Sequence, residues 1–136
     1  MTKNIVSTPA RITKALGSNG FFWVVMVLFV LQAGWLALSG RYPMPFDEDF
    51  HLGIIKLYAN HISPFWNGQP AGSEVFGIVS RDPSYIYHYL MSFPYRLIHA
   101  ISDSLRVDVV TLRFLNIAFF GLGIYLFRQL LLMVGG

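Results

Sequence analysis

The feature that most constrains the fold of this chain is an uninterrupted apolar stretch from Phe21 to Leu38. It contains no charged residue, and Gln32 is its most polar side chain. As a helix it would be roughly 27 Å long, close to the thickness of the hydrocarbon core of a bilayer. Trp23 and Trp35 lie near its two ends, as interfacial aromatic residues do. We therefore predict a transmembrane helix over residues 20–40.

A second apolar stretch begins near Val109 and predicts another transmembrane helix over residues 109–134. Arg113 and Arg128 lie near its two ends, where long basic side chains can reach the interface. The chain is 54% hydrophobic and only 12% charged, whereas soluble domains carry about a quarter charged residues. It has no cysteine, which excludes disulfide bonds and thiolate chemistry.

The distribution of charge predicts the orientation of these helices. The basic residues Lys3, Arg11 and Lys14 precede the first apolar stretch without an acidic residue among them, and all seven acidic residues lie between the two stretches. The positive-inside rule then places residues 1–19 in the cytoplasm as a tail and residues 41–108 outside. We predict an integral protein of the plasma (inner) membrane that contacts membrane lipid. Since the basic residues form no patch, nucleic acid is not an expected partner.

A cleaved signal peptide is the alternative interpretation of the first apolar stretch. Ala37-Leu38-Ser39 offers the small residues that a signal peptidase requires. The apolar region of a signal peptide is usually about 7–15 residues long, however, and this one is longer. The second apolar stretch also argues against a secreted soluble protein.

Between the two stretches the pattern predicts two amphipathic helices on the membrane surface, over about residues 47–62 and 84–101. Phe50, Ile54 and Leu57 recur at helical spacing in the first, and Tyr89, Phe93 and Leu97 do so in the second. A loop rich in proline and glycine separates them. The predicted fold class is therefore all-α integral membrane, with two transmembrane helices linked by an extracytoplasmic segment that holds two interfacial helices.

An acidic cluster, Asp47-Glu48-Asp49, opens the first of these helices, and His51 follows it. One carboxylate could accept a proton from an acceptor hydroxyl while a neighbour binds a divalent metal ion or orients the site. Asp47 and His51 lie four residues apart, on one helical face. The alternative is that the acidic residues only cap the helix and keep the loop soluble. The four histidines show no metal-ligand spacing, and we expect each at the surface or the interface.

The order of these features resembles the start of the GT-C family of integral membrane glycosyltransferases, such as protein O-mannosyltransferases and aminoarabinose transferases. A short tail, one transmembrane helix and the Pro43 and Pro45 exit lead to the acidic pair Asp47-Glu48. A later segment, Asp82-Pro83-Ser84-Tyr85, opens the second surface helix. In that family the acidic residue lies in the first external loop, and an aromatic segment containing proline comes later.

The resemblance implies transfer of a sugar from a polyprenyl-phosphate-linked donor to an acceptor on the outer membrane face. This chain would then be the N-terminal portion or a subunit of the enzyme, with further transmembrane helices or subunits as partners. Asp47 and Glu48 would be catalytic, and Asp47 and Asp49 would be the ligands of any divalent metal ion. The expected substrate-binding residues are Arg41, His51, Lys56, Arg81 and Tyr85. The competing hypothesis is a non-catalytic two-helix membrane scaffold or partner subunit of a larger complex.

Overall fold

The computed structural model of the protein describes residues 14–44, 47–61, 63–65, 68, 73–77 and 85–134. These residues are helical and contain no strand, which confirms the all-α prediction for the part described. The helices are α1 (Asn19–Ser39), α2 (Glu48–Ala59), α3 (Ile86–Ile101) and α4 (Leu105–Val134), with a short 3₁₀ turn at Glu74–Phe76. The predicted site residue Arg81 and the Asp82-Pro83-Ser84 segment lie outside the described residues.

Both long helices, α1 and α4, are long and apolar enough to cross a membrane. The first begins where predicted, because the Ser18 hydroxyl accepts a hydrogen bond from the Phe21 N–H at 3.2 Å and so caps the helix. The second begins at Leu105, one turn before the predicted residue 109. The carbonyl of Ser104 accepts the Asp108 N–H at 3.1 Å, which extends the helix back to the break at residues 102–104.

The chain forms two compact units, and the first comprises the residues up to Leu36 together with those from Ile117 onward. Aromatic rings join its two helical segments, with centroid distances of 5.2 Å between Phe29 and Phe120 and 6.2 Å between Trp23 and Tyr125. A Cβ added at Gly121 would lie 3.5 Å from the Met26 methyl group. The small residue therefore allows a close approach of the two segments.

The second unit runs from Ala37 to Asn116 and is organised by the packing of α2 on α3. One apolar cluster joins these helices to the first turns of α4, and its buried members are Leu52, Ile55, Met91, Tyr95, Val109 and Leu112. A second cluster surrounds Ile54 and Tyr58 and includes Phe76 of the 3₁₀ turn. Gly53 lets this turn approach, since a Cβ there would lie 2.6 Å from the Phe76 ring. The unit thus has a core of its own.

Ile54, which lies on the apolar face that helical spacing predicts for this helix, has no exposed surface. We expect Ile54→Asp to lower the free energy of unfolding by more than about 3 kcal/mol, because an unpaired carboxylate would be desolvated in the core. Unfolding in detergent, followed by circular dichroism, measures this loss. Val75→Asp is the matched control, since Val75 is 76% exposed and the same change should be nearly neutral there. Equal losses in the two variants would contradict the assignment of this core.

The packed face of α3 differs from the face that helical spacing predicts to be apolar. Its buried residues are His88, Met91, Ser92 and Tyr95. Of the predicted residues, Tyr89 packs against the Tyr58 ring, whereas Phe93 and Leu97 lie on another face and are 47% and 66% exposed. We call the exposed residues of this face the α3 stripe: Ile86, Leu90, Phe93, Leu97 and Ile101.

Candidate functional site

The acidic cluster at the start of α2 is held by an ion pair between Glu48 and Arg113 of α4. The Arg113 Nε donates to Glu48 Oε1 at 2.7 Å, and Nη2 donates to Oε2 at 2.8 Å. The Arg113 side chain is only 10% exposed, and the Glu48 side chain is 20% exposed. This two-bond geometry is the strongest form of an arginine–carboxylate pair. It fixes the position of the Glu48 carboxylate at the start of α2.

The same arginine also binds the chain as it leaves α1. Arg113 Nη1 donates to the carbonyls of Ala37 and Gly40, each at 2.9 Å. These carbonyls belong to the last turn and the exit of α1, where no further helical N–H is available to them. Arg113 therefore connects the end of one helix to the start of another.

The pKa of the Glu48 carboxyl is lowered below its ordinary value. Burial alone would raise this pKa, but hydrogen bonds from Arg113 and the Met44 N–H, together with the charge of Arg113, outweigh it. The Met44 N–H donates to Glu48 Oε2 at 2.7 Å. A carboxylate held in this way is a weak proton acceptor, so its geometry suits positioning rather than base catalysis.

Asp47 differs from Glu48 in its backbone geometry and in its contacts. It precedes α2 in the left-handed conformation, with φ of 64°, and its side chain makes no capping hydrogen bond. The expectation that its carboxylate caps the helix is therefore wrong, because this backbone geometry does not direct it at the first-turn N–H groups. Asp47 is exposed, and its carboxylate makes no hydrogen bond or ion pair with the residues that the structure describes.

A cavity of about 360 Å³ lies beside the ion pair. Its polar lining comprises Glu48, His51, Tyr87, His88, Arg113 and Asn116, and its apolar lining comes mainly from α2 and α4. This volume is within the range of small-molecule sites, which combine an apolar wall with a few polar groups. Asp47 does not line the cavity but is joined by a peptide bond to Glu48, which does.

Two histidines meet at this cavity. His51 Nδ1 lies 2.8 Å from His88 Nε2, and the rings stack at a centroid distance of 5.1 Å. Burial, and then the charge of His51, lowers the pKa of His88 to about 4. His88 is therefore neutral at physiological pH, so its ring offers one donor and one acceptor nitrogen. The prediction that His88 lies at the surface is wrong, because it is only 6% exposed on the packed face of α3.

Two tyrosines complete the polar surroundings of the acidic cluster. The Tyr42 hydroxyl donates to Asp49, and the Tyr87 hydroxyl donates to Asn116 of α4. Burial, followed by the hydrogen bond and charge of Asp49, raises the pKa of Tyr42 to about 12. Asp49 therefore holds the exit from α1, and it does not line the cavity.

The other predicted binding residues lie at different places in the structure. His51 lines the cavity, whereas Tyr85 contacts the His88 ring and donates its hydroxyl to the Phe76 carbonyl at 2.8 Å. Arg41 is exposed, and its carbonyl lies 3.5 Å from Arg113 Nη2. Lys56 lies in a separate groove. Only His51 of these residues therefore shares the cavity with Glu48.

The predicted metal ligands Asp47 and Asp49 do not form a complete ligand set with their described neighbours. Over residues 14–44, 47–61 and the later described ranges, no group of three or more histidine and acidic side chains could hold a metal ion. Asp49 already accepts the Tyr42 hydroxyl.

A buried carboxylate that the sequence reading did not single out lies at the start of α4. Asp108 is 1% exposed, and its Oδ2 lies 3.0 Å from His99 Nδ1. The Tyr95 ring stacks on His99 at a centroid distance of 5.3 Å. An ionisable residue directly before a predicted membrane helix was the signal for such a pair, because a charge there requires a partner.

No protein-family model matches this sequence, and neither a curated protein nor a solved structure shows significant similarity to it.

Proposed function

We propose that this chain supplies the acidic site of a membrane glycosyltransferase, as its N-terminal portion or as a subunit. The donor is a sugar linked to polyprenyl phosphate, and the acceptor is a hydroxyl at the outer membrane face. The observation that carries the proposal is the difference in contacts and exposure between two adjacent carboxylates. Glu48 is fixed by Arg113, while Asp47 next to it is exposed and unpaired among the described residues.

In this reaction the acceptor oxygen attacks the anomeric carbon of the donor sugar. The bond from that carbon to the phosphate oxygen breaks, and polyprenyl phosphate leaves with the electron pair. Asp47 accepts the proton of the acceptor hydroxyl as the new glycosidic bond forms. Glu48 and Arg113 hold the peptide between residues 47 and 48 in place, which keeps the base in a productive position.

The cavity beside Glu48 provides the space for the donor sugar. His51, Tyr87 and Asn116 line it and can exchange hydrogen bonds with sugar hydroxyl groups. The neutral His88 adds a buried partner without a second positive charge. Polar groups on an apolar wall are the usual composition of a site that orients a small ligand.

Sugar transfer is tested directly with membranes that contain the protein within its active assembly. A radiolabelled sugar on a polyprenyl phosphate is supplied, and label in the acceptor fraction is measured against membranes that lack the chain. Transfer that depends on the chain supports the proposal. Equal transfer with and without it, across the polyprenyl-linked sugars tested, would contradict it.

The location in the membrane yields a separate prediction. We expect Asn19 to face the cytoplasm and the 3₁₀ turn at Glu74–Phe76 to face outward. Single-cysteine variants test this cleanly because the chain has no native cysteine. Val75→Cys is the suitable outer probe, since Val75 is 76% exposed whereas the neighbouring Ser73 is fully buried.

In intact cells an impermeant thiol reagent should label Val75→Cys and spare Asn19→Cys. Both variants should react after the membrane is permeabilised, which controls for accessibility of the thiol itself. Labelling of Asn19→Cys alone in intact cells would show that the protein has the opposite orientation. Equal labelling of both would contradict the two-span arrangement.

The exposed apolar surfaces favour a second candidate, a non-catalytic scaffold or partner subunit. In α1 and α4 most of the apolar side chains are exposed, so both helices have surface available for other membrane helices. In this alternative the Glu48–Arg113 pair is only a structural connection. Retained transfer after loss of the Asp47 carboxylate would favour the scaffold.

A further inference from the structure

A groove lined by basic residues lies between α2 and α3, apart from the cavity beside Glu48. Its volume is about 490 Å³, and it shares no lining residue with that cavity. Lys56, Arg96 and His99 line it together with Asn60, and the remaining lining residues are Ala59, Tyr95 and Ala100. No carboxylate belongs to this lining, so the groove carries an excess of positive charge.

Arg96 is held in place in the groove and retains unused hydrogen-bonding capacity. Arg96 Nη2 donates to the His61 carbonyl at 3.4 Å, and the guanidinium lies 4.8 Å from the centre of the Phe93 ring. Its buried Nε has no partner among the described residues. His99 borders Arg96 in the groove, and its Nδ1 lies 3.0 Å from Asp108 Oδ2.

The groove lies directly beside an apolar surface. Phe93, whose ring Arg96 covers, belongs to the α3 stripe and is 47% exposed. Leu97 and Ile101 continue the stripe and are 66% and 80% exposed. A basic groove that borders exposed apolar side chains matches a lipid, which presents a negative phosphate next to acyl chains.

We propose that Lys56, Asn60 and Arg96 bind the phosphate of an anionic membrane lipid, while the α3 stripe contacts its acyl chains. The phosphate accepts charge-assisted hydrogen bonds from Arg96 and Lys56 and a further hydrogen bond from the Asn60 amide. A free phosphate ion would satisfy the same donors but not the stripe, so the lipid is the occupant that uses the whole surface. The inference uses the membrane location proposed above but does not depend on glycosyl transfer.

The test uses the full chain in an uncharged detergent. Short-chain phosphatidylglycerol, phosphatidylcholine and inorganic phosphate are titrated separately, and lipid retention is measured by native mass spectrometry and by the shift in thermal unfolding. Phosphatidylglycerol should bind at least about tenfold more tightly than phosphatidylcholine, since its net charge complements the groove. Raising the salt concentration should weaken this preference.

The matched variants identify the site. Arg96→Gln and Lys56→Gln should each weaken phosphatidylglycerol binding by about tenfold. Arg106→Gln and Lys14→Gln should leave it unchanged, because these exposed residues lie outside the groove. Circular dichroism of all four variants checks that they are folded.

Three results would overturn the inference. Equal binding by the groove variants and their controls would place the lipid elsewhere. Equal affinity for phosphatidylglycerol and phosphatidylcholine would show that the charge of the lipid does not contribute to binding. Inorganic phosphate that binds as tightly as phosphatidylglycerol would show an ion site in which the stripe takes no part. None of these outcomes depends on whether sugar transfer is observed.

Discussion

Replacement of Arg113 by alanine should lower the free energy of unfolding by about 2–4 kcal/mol. The change leaves the partly buried Glu48 carboxylate without its cation and removes the donors to the Ala37 and Gly40 carbonyls. Because Glu48 is 20% exposed, water recovers part of the loss, and the cost stays below that of a fully buried pair. Thermal and denaturant unfolding in detergent measure the change.

Arg106→Ala is the control for this prediction, because Arg106 lies on the same helix but is exposed. Arg113→Lys should recover only part of the stability, since an ammonium group cannot donate in parallel to both carboxylate oxygens and to two carbonyls. Stability of Arg113→Ala equal to that of wild type would show that the connection between α1, α2 and α4 contributes nothing.

The pH dependence of stability gives an independent measure of the same pair. The pKa of Glu48 is lowered on folding from its ordinary value of 4.5. Its contribution is therefore complete above that value and is lost as the pH falls through the lowered pKa of the folded state. Glu48→Gln should remove this part of the acid dependence, and an unchanged acid profile would argue against the ion pair.

The fold was predictable where a signal lay within one segment. The length and apolarity of residues 21–38 define α1 without reference to any other residue, and burial of Ile54 follows from helical spacing. The ends of the shorter helices depended on contacts that spacing does not encode. The first surface helix ends at Ala59 rather than at residue 62, because the N–H groups of Asn60 and His61 close the last turn on the carbonyls of Leu57 and Tyr58 respectively.

The candidate site was predictable only in its location. The run of three acidic residues drew attention to the start of α2, but the partner of Glu48 lies 65 residues away in sequence. His51 and His88 are 37 residues apart, and no spacing rule joins them. Arg113 carried a usable signal, because a charge at the edge of a membrane helix requires a counter-charge and Glu48 was among the candidates.

Asp47→Asn tests the catalytic proposal with the least disturbance of structure. In the active assembly we expect turnover to fall by about two to four orders of magnitude, because asparagine cannot accept the proton of the acceptor hydroxyl. Asparagine tolerates the left-handed backbone at φ of 64°, so the conformation at the start of α2 should persist. Sugar transfer from the polyprenyl-linked donor gives the rate, and donor binding is measured separately and should survive.

The neighbouring carboxylates separate a catalytic loss from a structural one. Glu48→Gln should lower both the turnover and the stability, because it weakens the connection to Arg113. Asp47→Asn should lower the turnover alone, since its carboxylate has no partner in the described part of the chain. Asp103→Asn, at an exposed position between α3 and α4, should change neither. Full activity of Asp47→Asn in a folded, membrane-inserted protein would leave the acidic cluster with a structural role, and the scaffold would then be the better account of this chain.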